Sequence, residues 1–134
     1  MFETVEQATS ILQNKNAAET KRVAAAHFLG RSGSEAAADT LVIALDDDDF
    51  GVHWAASEGL ALLGEAAMPA LLKALADANC SPRVIHGAKH AFHTSSSSVV
   101  RAEARPLVAA MHGPDQDIAV IQAASELMTK LRIA

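Results

Sequence analysis

The chain has 134 residues, enough for one domain and too few for two comfortable ones. Half of it is hydrophobic, mostly Ala and Leu, with four Phe, one Trp and no Tyr. This leans on strong helix formers and not on the β-branched and aromatic residues of a sandwich or barrel. Sixteen acids against eleven bases leave a net charge of −5. That balance lacks the concentrated positive field that nucleic acid or an anionic membrane surface requires, so neither is an expected partner.

In chain order, the first predicted helix covers about 2–14, where Phe2, Val5, Ile11 and Leu12 make one buried face. The leading stretch MFETVEQATS carries Glu3 and Glu6 and no basic run before an apolar one, which does not fit a signal peptide. No apolar stretch approaches the roughly 20 residues of a membrane span. The lone Cys80, read as a loop bystander, leaves no internal disulfide and suits a reducing compartment. The expectation is a cytoplasmic protein.

Further helices are predicted near 18–31, 35–45, 50–63, 66–76, 82–94, 100–112 and 116–132, making eight, and they repeat. In KRVAAAHFLGRSG (21–33) and VHWAASEGLALLG (52–64), Ala24, Ala25, Leu29 and Gly33 fall on Ala55, Ala56, Leu60 and Gly64 at a shift of 31. VIHGAKHAF (84–92) falls on 52–60 at a shift of 32, and VIQAASELM (120–128) at a shift of 68, sharing AASE. Between these copies DTLVIAL (39–45), PALLKAL (69–75) and PLVAAM (106–111) carry apolar residues at helical spacing. The unit is two helices and two connections in about 31 to 36 residues. One domain, 1–134, then divides into a half-unit 1–15, repeats 16–45, 46–75 and 76–112, and a terminal half-unit 113–134, the half-units standing where caps of a stacked array belong. The density of Ala predicts close helix approach.

The punctuation agrees. Asp46–Asp49 stand where they can cap a helix, with Asp77, Asp115 and Asp117 at the matching joints. Gly33 and Gly64 stand at helix ends, and Pro69, Pro82 and Pro106 in or near first turns. A calcium loop would place a bidentate Glu at position twelve. The twelfth residue from Asp46 is Ser57 and from Asp47 Glu58, while Val52 and Trp54 between them belong to the helix, so the four aspartates read as a cap.

DDDDFGVHWAASEGLALLG followed by AAMPALLKAL resembles the HEAT-like repeat of the phycobilisome-lyase type: Asp, a spacer, Val-Arg, Ala-Ala, Leu, Gly, then a proline-led second helix. The resemblance covers essentially the whole chain and is closest over 46–75. It implies an all-α fold, a right-handed α-solenoid (an α-α superhelix, armadillo-like) of about four hairpins. In such folds the first helix of each pair lines the convex face and the second the concave one, here with Asp39, Lys73, Glu103 and Arg105 among its polar residues. The arginine usual after Val is His53 in one repeat and Ile85 in the next, so the Asp–Arg ladder between repeats is not expected to continue there.

On a helical wheel with Val84 facing the core, Ala88, Ala91 and Phe92 share its side, and His86, His90 and His93 form a ridge on the opposite one. Such a ridge can attract zinc, nickel or copper, but three histidines on one exposed helix rarely converge on an ion and no neighbouring carboxylate orients them. No resident metal or cofactor is expected. Equivalent positions form two predicted stripes across the first helices: His27, Glu58, His90, Glu126, and Val23, Trp54, His86, Gln122. An exposed Trp54 suits a contact surface; the alternative has it folded over a neighbouring helix.

Iron enzymes of similar architecture carry His-Glu dipeptides, and none of the six histidines here is followed by Glu. Ser95–Ser98 near His93 read as a flexible joint and not as a nucleophile, and no Gly-rich phosphate loop is present. The expected function is a non-catalytic scaffold or adaptor for another protein, with Val23, Trp54, Glu58, His86 and His90 as the expected contact residues. A second copy bound through the end helices is a further expected partner. The alternatives are a subunit of a bilin lyase or isomerase, which the resemblance implies, and a metal-responsive binder using His86, His90 and His93.

Overall fold

A computed structural model describes residues 2–112 and 116–133. All eight expected segments are helical, and the described residues contain no strand. The helices are α1 (Val5–Gln13), α2 (Glu19–Arg31), α3 (Glu35–Ala44), α4 (Phe50–Leu63), α5 (Met68–Leu75), α6 (Pro82–Thr94), α7 (Ser98–Glu103), α8 (Arg105–Ala110) and α9 (Gln116–Leu131), with a 3-10 turn, Gly64–Ala67, before α5. The segment expected over 100–112 is broken at Ala104 into α7 and α8. Pro106 has no N–H for the carbonyl four residues back, and its ring crowds that carbonyl.

Side chains set the starts. Thr4 and Gln7 form a reciprocal capping box at α1. Asp49 Oδ1 accepts from the N–H groups of Gly51 at 3.0 Å and Val52 at 3.4 Å, so the aspartate run does cap α4. Ser81 and Ser97 cap α6 and α7. Gly33 and Gly64 have φ of 71° and 59°, which glycine adopts freely. Asp117 lies in the first turn of α9; Asp115 lies outside the described residues.

The serine run is not a loose joint. The Ser96 N–H donates to Ala61 O at 2.9 Å and its hydroxyl to Leu62 O at 3.2 Å. Ser95 is buried, and its Oγ accepts from the Ser97 N–H. The last carbonyls of a helix have no partner within it; here the run supplies donors to the end of α4. This corrects the expectation of a flexible segment.

First helices α2, α4 and α6 pack side by side, with α1, α3 and α5 forming the second row. One core of buried Ala and Leu runs from Ala8 to Leu127. The α2–α4 crossing is closest: a methyl group at Gly30 would stand 2.5 Å from Gly59 Cα, and one at Gly59 2.9 Å from Ala26 O. The Ser57 hydroxyl, fully buried, donates to Gly87 O at 2.8 Å and ties α4 to α6. Among the described residues no helix is long and apolar enough to cross a membrane.

The last unit departs from the repeat. α9 packs chiefly against α5 and α8 and does not continue the first-helix row beyond α6. A cleft of about 340 Å³ separates α6 from α9, lined in part by Ile85, Lys89, Met111 and Val120. Glu126 instead lines a hollow with Glu103 and Lys130, which pair at 2.9 Å. The two predicted stripes therefore end at α6, and Gln122 and Glu126 do not extend them.

Candidate protein-binding surface

The joint 46–49 and the first turns of α4 and α6 meet at one end of the first-helix row. Burial would raise the Asp47 carboxyl, but hydrogen bonds from Arg22 and Lys15 and from the Asp49 N–H outweigh it and hold the group well below its ordinary range. Arg22, 4 % exposed, reaches Asp47 Oδ2 at 2.5 Å and Oδ1 at 3.2 Å, and also gives Nε and Nη2 to Leu12 O. This contact spans from the end of α1 to the joint before α4, one rung of an Asp–Arg ladder.

The next rung is different. At the position equivalent to Arg22, the buried His53 places Nδ1 2.7 Å from Leu45 O. A carbonyl only accepts, so Nδ1 carries the proton. Ile85 follows in α6 and offers no polar group. The ladder stops where His53 replaces arginine.

With His53 tucked inward, its neighbours form an aromatic cluster on the surface. Phe50, the first residue of α4, is 70 % exposed. Its ring stacks on His53 at 6.0 Å and meets Trp54 edge-on at 5.7 Å. Trp54 is half-buried and turns across to α6, with ring centroids 5.5 Å from His86 and 4.9 Å from His90, both near perpendicular. Edge-to-face geometry of this kind favours a fixed arrangement. Beside the cluster lies a hollow of about 490 Å³ lined by Asp47, Asp48, Phe50, His53, Pro82, Arg83 and His86. Its rim is tied by Arg83 to Asp48 at 2.9 Å and by the Ser81 hydroxyl to Asp46 at 2.7 Å.

Of the expected contact residues, Trp54, His86 and His90 are brought together. Glu58 is exposed one turn further along α4 and stands 3.5 Å from His27 Nε2. Val23 is half-buried and packs against the core. Trp54 neither projects freely nor is lost to the core; it bridges α4 and α6. His93 is exposed, while His90 is half-buried beneath Trp54, so the ridge does not stand wholly in solvent. Among the described residues no three His, Cys, Asp or Glu side chains are placed to hold a metal ion. Phe50 was missed, although its spacing carried the signal: it lies four residues before Trp54, on the same side of α4.

Two other titratable groups are perturbed. The Glu19 carboxyl is pushed up by its hydrogen bond to Asp49 and by that carboxylate's charge. Burial, then the charges of Asp77 and Asp46, push the Cys80 thiol up, so it does not supply an activated thiolate to the α6–α9 cleft.

The family model for HEAT repeats matches residues 5–93. The matched region spans α1 to the last turn of α6, the part of the chain in which the helix rows are regular. A search of curated proteins returned no match. Repeats of this family generally serve as protein-interaction scaffolds and are typically not enzymes. With that match to about two thirds of its length and a helical stack to correspond, the chain belongs to the HEAT-repeat family.

Proposed function

We propose that this protein is a non-catalytic adaptor that binds another protein through the surface formed by Phe50, Trp54, His86 and His90. The observation that carries the proposal is Phe50, a large apolar ring left mostly in solvent at the edge of an aromatic cluster and beside a hollow. Binding energy at interfaces concentrates in aromatic residues that desolvate against a complementary pocket. The surface offers both parts: a projecting ring and a rimmed depression that a partner's side chain can fill.

Of the other large exposed hydrophobics, Leu62 lies at the far end of α4, and Ile43, Val99, Ile118 and Leu131 lie on α3, α7 and α9; none is in an aromatic cluster. Single exposed apolar residues are ordinary on a soluble surface, whereas a rigid aromatic group marks a contact.

The test is affinity capture from the source cell's lysate with wild type, Phe50→Ala and Trp54→Ala, followed by titration of the captured protein. Phe50 is exposed, so its replacement should leave helicity and melting unchanged. The expected result is a partner bound by wild type and weakened by roughly tenfold or more by Phe50→Ala, the scale of an interface hot spot. Equal affinity for wild type and Phe50→Ala would place the contact elsewhere and reject this surface.

A further inference from the structure

At the opposite end of α6, another pocket gathers positive charge in a chain whose net charge is −5. It is an open depression of about 440 Å³ lined by Phe92, His93, Arg101, Arg105, Val108 and Ala109. None of the six is acidic. Four of the Lys and Arg side chains, Lys15, Arg22, Arg83 and Lys130, pair with carboxylates among the described residues; Arg101 and Arg105 do not. Glu103, between them in sequence, pairs with Lys130 on α9. Among the described residues, therefore, the two guanidinium groups face the pocket without a carboxylate partner.

The fold fixes this arrangement. The break at Ala104 puts Arg101 on α7 and Arg105 at the start of α8, while His93 comes from the last turn of α6. Arg101 Nη1 donates to the Ser95 carbonyl, and Ser95 is itself buried in the joint pinned to α4. One side of its planar fork is thus anchored and the remaining N–H groups are left for a ligand. Phe92, buried, and Val108, half-buried, supply an apolar floor.

From this geometry we propose that the pocket binds an oxyanion, phosphate or carboxylate, carried on an apolar stem. Guanidinium groups match both anions through paired N–H donors, and His93 adds a donor from the rim. The stem lies against Phe92 and Val108 and excludes water from the charged contact.

The probes are phenyl phosphate and benzoate, with benzamide as the uncharged control, titrated into the full chain and followed by calorimetry and by NMR shifts of His93. Arg105→Gln is the diagnostic variant, because among the described residues Arg105 makes no side-chain hydrogen bond or ion pair that its loss would break. Arg101→Gln also releases Ser95 and is read beside a melting curve. Saturable binding of either anion, weakened roughly tenfold or more by Arg105→Gln and absent for benzamide, supports the site. Tighter phenyl phosphate then identifies a phosphate-bearing ligand, and tighter benzoate a carboxylate. Lack of saturation with both anions, equal binding of benzamide, or binding unchanged in Arg105→Gln overturns the proposal.

Discussion

Asp47 shows at the scale of one residue how the first repeats are joined. Its carboxylate is 5 % exposed and lies between Arg22 and Lys15. Removing Arg22 leaves a buried charge without its main partner, so Arg22→Met should lower stability by about 3–5 kcal/mol in chemical denaturation. Lys15 is mostly solvated, so Lys15→Ala should cost no more than about 1 kcal/mol. The pH dependence follows from the lowered carboxyl. Its stabilising contribution is whole above the ordinary value of 3.8 and is lost as the pH falls from there towards the folded value. Asp47→Asn should reduce neutral stability and flatten the acid limb of a pH–stability curve below that point; an unchanged limb would remove Asp47 from the acid response. The sequence made part of this legible. The aspartate run was read as a cap, which Asp49 is, but nothing in the run distinguished Asp49 from Asp47, because burial by α1 and α2 separates their roles.

Between elements, the closeness of α2 and α4 rests on glycines facing each other. A methyl at Gly30 meets backbone at 2.5 Å, and one at Gly59 meets the Ala26 carbonyl at 2.9 Å. One at Gly87 meets the tip of Leu45 at 2.5 Å, and a side-chain tip can move. Alanine also gains helix propensity of about 1 kcal/mol over glycine. Gly30→Ala and Gly59→Ala should therefore each lose about 1–3 kcal/mol despite that gain, while Gly87→Ala should be nearly neutral; thermal melts of the three variants give the order. The Ala-rich composition foretold close packing. It did not say which pair of helices would come closest, since that depends on glycines meeting across a crossing. The break of the 100–112 segment was legible only as Pro106 near a first turn. The serine run was read as slack because hydrogen bonds to the end of α4 span more than 30 residues and leave no local pattern.

For the whole molecule, the repeat pattern made the regular part of the stack readable from the shifts of 31 and 32 residues. The position of α9 was not readable. Its sequence copies the first-helix pattern, AASE included, yet its apolar side is covered by α5 and α8. Periodicity shows that a helix has a face to bury but not which groove receives it. Three of the four residues of the candidate surface, Trp54, His86 and His90, were visible in the repeat positions; Phe50, and the inward turn of His53 beneath it, came from packing at the joint. The central claim is that a protein partner docks on the aromatic end of the first-helix row. The most direct measurement is hydrogen exchange of the chain, free and in complex with its captured partner. Slower exchange confined to 46–58 and 81–90 is the expected result. Protection confined to α3, α5 and α8, with 46–58 and 81–90 unchanged, would contradict it and move the contact to the second-helix side.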